Sequence, residues 1–201
     1  MSRSANSEQR ILEAARKIFL AEGYSAVSTD QLCREASVSK TTLYRYFGDM
    51  AGVLKALVKT EGDAFSIDNQ PLPATPEAFW LALRDYGAQL LRLLNSDFCA
   101  QLDQTMHEEA RQHPDIAKLF YQNAYGRSHE EMTRLIEHGK QSGFIQHKSR
   151  ASDLADYLIS MWEGLTYVRV RLSLESQPYT QPKRRSESVI RALFSEENLP
   201  Y

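Results

Sequence analysis

The sequence predicts an all-α protein, with an amino-terminal three-helix helix-turn-helix domain followed by a larger helical domain. Three observations predict it. Apolar residues recur at three- and four-residue spacing along the long segments, no stretch alternates as a strand would, and helix-capping residues stand at the heads of these segments. No internal repeat is present. The 201 residues, 42% hydrophobic and 25% charged, suffice for a buried core in one large or two small domains.

The first helix is expected to start at Asn6 or Ser7, where Asn6 and Gln9 form a capping-box pair, and its apolar stripe is Ile11, Ala14, Ala15, Ile18 and Phe19. Ser28 and Gln31 repeat the pairing at the head of a short second helix, which buries Leu32 and Ala36 and stops near Ser37. Ser39 caps a third, Lys40 to Phe47, and Asp49 a fourth that carries Val53, Leu54, Leu57 and Val58 to about Phe65. Ser66 to Pro76, with three prolines, reads as a connector. The predicted domains are therefore 1–65 and 76–201.

In the second domain Thr75 and Pro76 open a helix to about Asn95, with Phe79, Leu83, Tyr86, Leu90 and Leu94 on one face. A helix from Asp97 to Gln112 follows. Another, capped near His113 and opened by Pro114, is expected to run unbroken to Gly143. Ser149 or Ser152 caps the next, to about Leu174, and Pro182 to Phe194 forms the last.

The third helix carries the chemistry. Leu43 and Phe47 face inward, while Lys40, Thr41, Tyr44 and Arg45 spread over another side. Lysine and arginine neutralise phosphates or bind guanine edges, hydroxyls bond phosphate oxygens, and a threonine methyl can rest on a thymine methyl. The free amides at the helix start, at Ser39, favour a phosphate as well. Charge agrees: residues 1–60 hold nine Lys and Arg against six acids, a balance of +3, in a chain whose formal total is −2. Two short helices around a tight turn, the second basic and hydroxyl-rich, point to double-stranded DNA as partner.

The stretch resembles the TetR-type transcriptional regulators in Thr29, Leu32-Cys33, Ala36-Ser37-Val38-Ser39 and Leu43-Tyr44-Arg45-Tyr46-Phe47, and upstream in Ala14-Ala15, Phe19 and Glu22-Gly23-Tyr24. The resemblance implies DNA contacts from Thr29, Ser39, Lys40, Thr41, Thr42, Tyr44, Arg45 and Tyr46. Three positions depart from the family pattern. Ser37 stands where glycine is usual in the turn, so a positive backbone angle there would be strained. Met50 and Ala51 replace the lysine and acid that often open the fourth helix, so the usual phosphate contact is not expected from position 50. More loosely, Glu109-Ala110-Arg111, Pro114-Asp115-Ile116-Ala117, Phe120-Tyr121 and Ser142-Gly143-Phe144-Ile145 resemble the AefR-like branch.

That resemblance implies a homodimer formed by the last two long helices, whose apolar residues include Met161, Trp162, Leu165, Val168, Leu172, Val189, Ile190, Leu193 and Phe194. Such a dimer would place two reading helices roughly 34 Å apart, the spacing of a palindromic operator. It also implies a small-molecule effector site drawn from Tyr86, Leu90, Leu102, Met106, Phe120, Tyr121, Tyr125, Met132, Trp162 and Tyr167, with His107, Arg127, His129, Glu163 and Arg169 as polar anchors. Its tyrosines suit an apolar or aromatic effector. Repression relieved by that effector is the expected outcome. DNA binding without any effector is the alternative.

No catalytic residue, metal site or cofactor is expected. His107 and His113, in HEEARQH, are six apart and fall on different helical faces, unlike the i, i+4 pair of a zinc helix. No phosphate-binding loop, nucleophile elbow or dinucleotide turn occurs. Cys33 reads as a small core residue, and two cysteines make no disulfide framework. No apolar run approaches the ~20 residues of a membrane span, and MSRSANSEQR lacks a secretion signal, so the reading is cytoplasmic with no membrane partner.

Overall fold

The computed structural model describes residues 3–63, 70–172, 174–175 and 179–194. Among them are ten helices: α1 Arg3–Glu22, α2 Thr29–Glu35, α3 Lys40–Phe47, α4 Met50–Asp63, α5 Pro76–Leu94, α6 Asp97–Glu109, α7 Pro114–Asn123, α8 Tyr125–Gln141, α9 Ala151–Arg171 and α10 Pro182–Leu193. The described residues of Met1–Ala64 and Gln101–Tyr125 form one compact unit, and those of Phe65–Ala100 and Gly126–Tyr201 the other. Residues 101–125, assigned to the second domain from the sequence, thus cluster with the amino-terminal helices.

In the first unit α1 packs on α2, α3 and α4, α2 and α4 on α3, and α7 on α4. Ile11, Ala15, Phe19, Leu32, Leu43, Val53 and Leu54 are fully buried between them, so the stripes read from the sequence face this core. Burying a leucine or phenylalanine stabilises by ~1.5–3 kcal/mol, which is what holds such short helices as α2 and α3 in place. Cys33 is buried here as a small apolar residue. The fourth helix is described to Asp63, and its expected last turn at Phe65, like Ser66 to Asn69 of the connector, lies outside the described residues.

In the second unit α5, α9 and α10 pack on one another. Close approach at their crossing is set by Gly87, where an added Cβ would stand 2.3 Å from Ser186 Oγ and 2.5 Å from the Trp162 ring. Ser186 Oγ donates to the Arg84 carbonyl at 2.8 Å, and Trp162 Nε1 to the Ser186 carbonyl at 3.3 Å, so the polar atoms brought into this crossing are satisfied. Asn95 clasps the backbone of Tyr179, donating to its carbonyl at 2.8 Å and accepting its amide at 3.0 Å.

Five boundaries differ from the sequence reading. The first helix begins at Arg3, which places Asn6 inside it instead of at its cap. The sixth ends at Glu109, whose carbonyl accepts the amides of Gln112 and His113 and closes a turn. The helix expected to run from Pro114 to Gly143 is two, broken at Ala124 (φ −110°, ψ −88°). The breaking residue itself is neither glycine nor proline, although Gly126 follows two residues on. Tyr125 there packs its ring on Phe120 and Tyr121 and donates its hydroxyl to the Asp103 carboxylate, so tertiary contacts override helix propensity. The N-cap position of the ninth is Arg150, which pairs with Asp153 at 2.7 Å but makes no side-chain cap bond, and not Ser149 or Ser152; the helix ends at Arg171 instead of near Leu174.

The ninth helix also contains a break that its periodicity conceals. Gly164 has φ 54° and ψ −166°, a region open in practice to glycine alone. Such a residue interrupts the i→i−4 ladder and leaves carbonyls of the preceding turn without their amides. Arg185 of α10 supplies donors instead, to the carbonyls of Trp162, Met161 (3.1 Å) and Glu163 (3.4 Å), and Tyr179 donates its hydroxyl to Glu163 at 2.8 Å.

Candidate nucleic-acid interface

The reading element is built from two caps and one strained turn. Ser28 Oγ accepts the Gln31 amide at 3.2 Å and opens α2; Ser39 Oγ accepts the Thr42 amide at 3.1 Å and opens α3. The Gln31 side-chain amide donates to Glu22 at 2.7 Å, tying the start of α2 to the end of α1. Between the helices Ser37 adopts φ 51°, the positive angle for which glycine is usual. Arg10 of α1 donates to the carbonyls of Ala36 and Ser37 and holds this turn.

The far end is equally tight. Asp49 Oδ1 accepts the Gly52 amide at 2.7 Å as the cap of α4, and a Cβ on Gly52 would stand 1.8 Å from the Phe47 carbonyl oxygen. No side chain fits there, so α3 meets α4 only with glycine at position 52.

With Leu43 fully buried, α3 presents Lys40, Thr41, Tyr44 and Arg45 to solvent, Tyr44 at 48% exposure. Ser39 is exposed beside them at the helix start, while Thr29, Thr42 and Tyr46 are half-buried at the edge. Arg45 lies 4.9 Å from the Tyr46 ring centroid, a cation–π contact that leaves the guanidinium at the surface. Lys40 pairs with Asp30 at 2.7 Å, and that hydrogen bond raises the ammonium above its ordinary value. The pair is solvent-exposed, so a phosphate could displace Asp30 at little cost.

The residues assigned to effector binding fall in both units. In the first, Leu102 and Met106 are buried, Tyr121 is exposed, and Phe120 and Tyr121 have ring centroids 6.0 and 6.3 Å from that of Tyr125. In the second, Tyr86, Leu90, Met132, Trp162 and Tyr167 belong to one apolar core, with Trp162 and Met132 fully buried. The polar anchors have partners within the chain. His107 meets the Asp103 carbonyl at 2.8 Å, Arg127 the buried Glu131 at 3.1 Å, His129 the Ser152 carbonyl at 3.1 Å and Arg169 the Glu175 carboxylate at 2.8 Å, while Glu163 receives Tyr179 at its carbonyl.

The apolar surface expected on both of the last helices is confined to α9. Tyr157, Met161, Leu165, Val168 and Leu172 are exposed and follow at spacings of four, four, three and four, a single stripe, with Leu165 at 76%. On α10, Val189, Ile190 and Phe194 are buried in their own unit's core, and Leu193 packs against it. Among the described residues no group of three or more His, Cys, Asp or Glu is placed to hold a metal, and no helix is long and apolar enough to cross a membrane.

One site residue was not legible in the sequence: the Glu109 side chain is only 13% exposed and bonds Ser25 of the loop between α1 and α2. Nothing local to Glu109 signals a partner 84 residues away.

Residues 11–57 match the family described as "Bacterial regulatory proteins, tetR family", and residues 81–194 match "AefR-like transcriptional repressor, C-terminal domain". The chain is 32% identical over 65 residues to the HTH-type transcriptional regulator SrpR of Pseudomonas putida, a match spanning 32% of this chain and 30% of that protein. It is 22% identical over 177 residues to the HTH-type transcriptional repressor DhaR of Mycobacterium sp. strain GP1, covering 86% of each. The solved structure of the flavonoid-responsive regulator FrrA superposes with a TM-score of 0.75 at 22% identity, over 94% of this chain and 95% of that one.

Proposed function

Because the chain belongs to the TetR family of bacterial transcriptional regulators and carries its AefR-like carboxy-terminal domain, we propose that it is a repressor that binds a palindromic operator as a homodimer and is released by a small apolar or aromatic effector. The exposed face of α3 carries this reading: Lys40, Thr41, Tyr44 and Arg45, backed by buried Leu43 and started by an exposed helix amino terminus at Ser39. In the proposed division of labour residues 1–65 read DNA, and residues 76–201 dimerise and bind the effector. The α9 stripe supports dimerisation, since five exposed apolar side chains in line are costly to leave in water. The place of action is the bacterial cytoplasm, where the DNA is.

The effector acts by binding the two DNA-binding states unequally; otherwise it shifts nothing. Its contacts are proposed among the tyrosines and methionines named above, of which Tyr121 is already exposed and Tyr125 half-buried. FrrA is by its name flavonoid-responsive, so flavonoids are reasonable first compounds to screen. The complete burial of Met132 and Trp162 favours a second reading, in which the chain regulates without an effector.

The test is selection of bound duplexes from a random pool. An enriched palindrome with half-sites about one helical turn apart, lost in Lys40→Ala and Tyr44→Ala variants that still fold, supports the reading. Failure to enrich any sequence at low salt overturns it.

A further inference from the structure

We propose that Glu109, at the carboxy-terminal end of α6, is a positioning residue for DNA reading: it fixes the loop that leads from α1 into α2. The inference rests on the DNA-reading role of α2 and α3. Its carboxylate takes both donors of Ser25, Oε1 accepting the backbone amide at 2.9 Å and Oε2 the hydroxyl. Ser25 stands three residues before Ser28, the cap of α2, and four before Thr29, an expected DNA contact. Within the loop Val27 is buried, and its amide reaches the Tyr24 carbonyl at 3.3 Å.

Two features argue against an incidental surface pairing. The carboxylate is largely buried although Ser25 is exposed, so burial is concentrated on the acid, the group that loses most by leaving water. It also sits at the last residue of α6, where the helix dipole disfavours negative charge. The donors of Ser25 offset both costs, and His113 Nε2 lies 4.0 Å away. The carboxylate also lies against the start of the loop, since a Cβ on Gly23 would stand 3.4 Å from Glu109 Oε1. The Glu109-Ala110-Arg111 motif thereby acquires a use: movement of the end of α6 reaches the start of α2 directly, without passing through α4.

The experiment compares the wild-type chain with Glu109→Ala, Glu109→Gln and Ser25→Ala. Amide hydrogen exchange is measured residue by residue, and affinity is measured for the duplex that the wild-type chain enriches from a random pool of about 30 base pairs, room for two half-sites. Glu109→Ala should speed Ser25 amide exchange and weaken duplex binding, each about tenfold, with exchange in α5 and α9 unchanged. Glu109→Gln keeps the shape and one acceptor and should recover part of both effects. Ser25→Ala combined with Glu109→Ala should be no worse than Glu109→Ala alone. Unchanged Ser25 exchange in Glu109→Ala, or a loosened loop with unchanged affinity, overturns the inference alone. Absence of any enrichment by the wild-type chain overturns the DNA-reading premise and this inference with it.

Discussion

Ser37 in the first unit and Gly164 in the second solve the same problem with opposite residues. Both hold a positive φ, 51° and 54°, where a helix stops or breaks, and at both an arginine from another helix donates to the stranded carbonyls. Arg10 serves Ala36 and Ser37; Arg185 serves Met161, Trp162 and Glu163. The difference lies in the surroundings and in the backbone of Gly164, whose ψ of −166° puts it in a region open in practice to glycine alone. Ser37 is exposed, at a point where α2 ends in any case, so water can share the carbonyls and a Cβ meets nothing prohibitive. Gly164 lies inside a long helix, and a Cβ there would stand 2.5 Å from Arg185 Nη2. The positive φ at the end of α2 thus accommodates a serine, whereas that at Gly164, paired with ψ −166° in a region open in practice to glycine alone, does not accommodate a side chain.

The comparison breaks most readily at Gly164. Gly164→Ala adds a Cβ to a glycine-only conformation and displaces Arg185, so it should cost about 3 kcal/mol of stability, read as a lowered urea midpoint at fixed protein concentration. Next come the arginines. Arg185→Ala leaves carbonyls of a half-buried turn without donors and should cost about 2 kcal/mol, Arg10→Ala only about 1 kcal/mol because water replaces it at Ser37. An Arg10→Ala loss equal to that of Arg185→Ala would show that exposure does not separate the two sites.

Ser37→Gly sharpens the same contrast from the other side. Relief of the positive φ favours glycine by roughly 1–2 kcal/mol, and the greater freedom of the unfolded chain returns 0.4–1 kcal/mol of that, so a net gain of about 0.5–1 kcal/mol is expected. Destabilisation in the urea titration would mean that the serine side chain supports the turn.

These pairs also mark what the sequence could disclose. The caps Ser28, Ser39, Asp49 and Thr75 were legible because a capping oxygen acts within three residues of itself, and the exposed face of α3 followed from the period of one short helix. The strain at Ser37 was legible through resemblance, since glycine is usual there. The break at Gly164 was not, because an isolated glycine in a periodic stretch ordinarily costs a helix little, and the partners that stabilise a full break, Arg185 and Tyr179, come from outside it. Ala124 and Glu109 were hidden for the same reason. Residues at Asp103 and Ser25, distant in sequence, decide what they do.

A tyrosine in each unit extends the contrast to pH. Burial, then the carboxylates of Asp49, Asp115 and Glu109, push the Tyr24 phenol from its usual 10.0 to about 12. Burial, then Glu163, push Tyr179 up further, with Arg185 and Arg169 opposing. Between pH 10 and 12 the unfolded chain has already released protons that the folded chain retains, so this stability is full below pH 10 and falls as pH rises. Tyr24→Phe and Tyr179→Phe should each flatten the decline of the urea midpoint over that window. The two variants should part at neutral pH. Tyr179→Phe removes a donor from the Glu163 carbonyl at the α9 break and should cost about 1 kcal/mol there, whereas Tyr24→Phe, keeping the ring edge-on to Phe19 at 5.3 Å, should cost less. Equal losses at neutral pH would mean that Arg185 alone satisfies the break, and that the second unit needs no more support at its left-handed residue than the first.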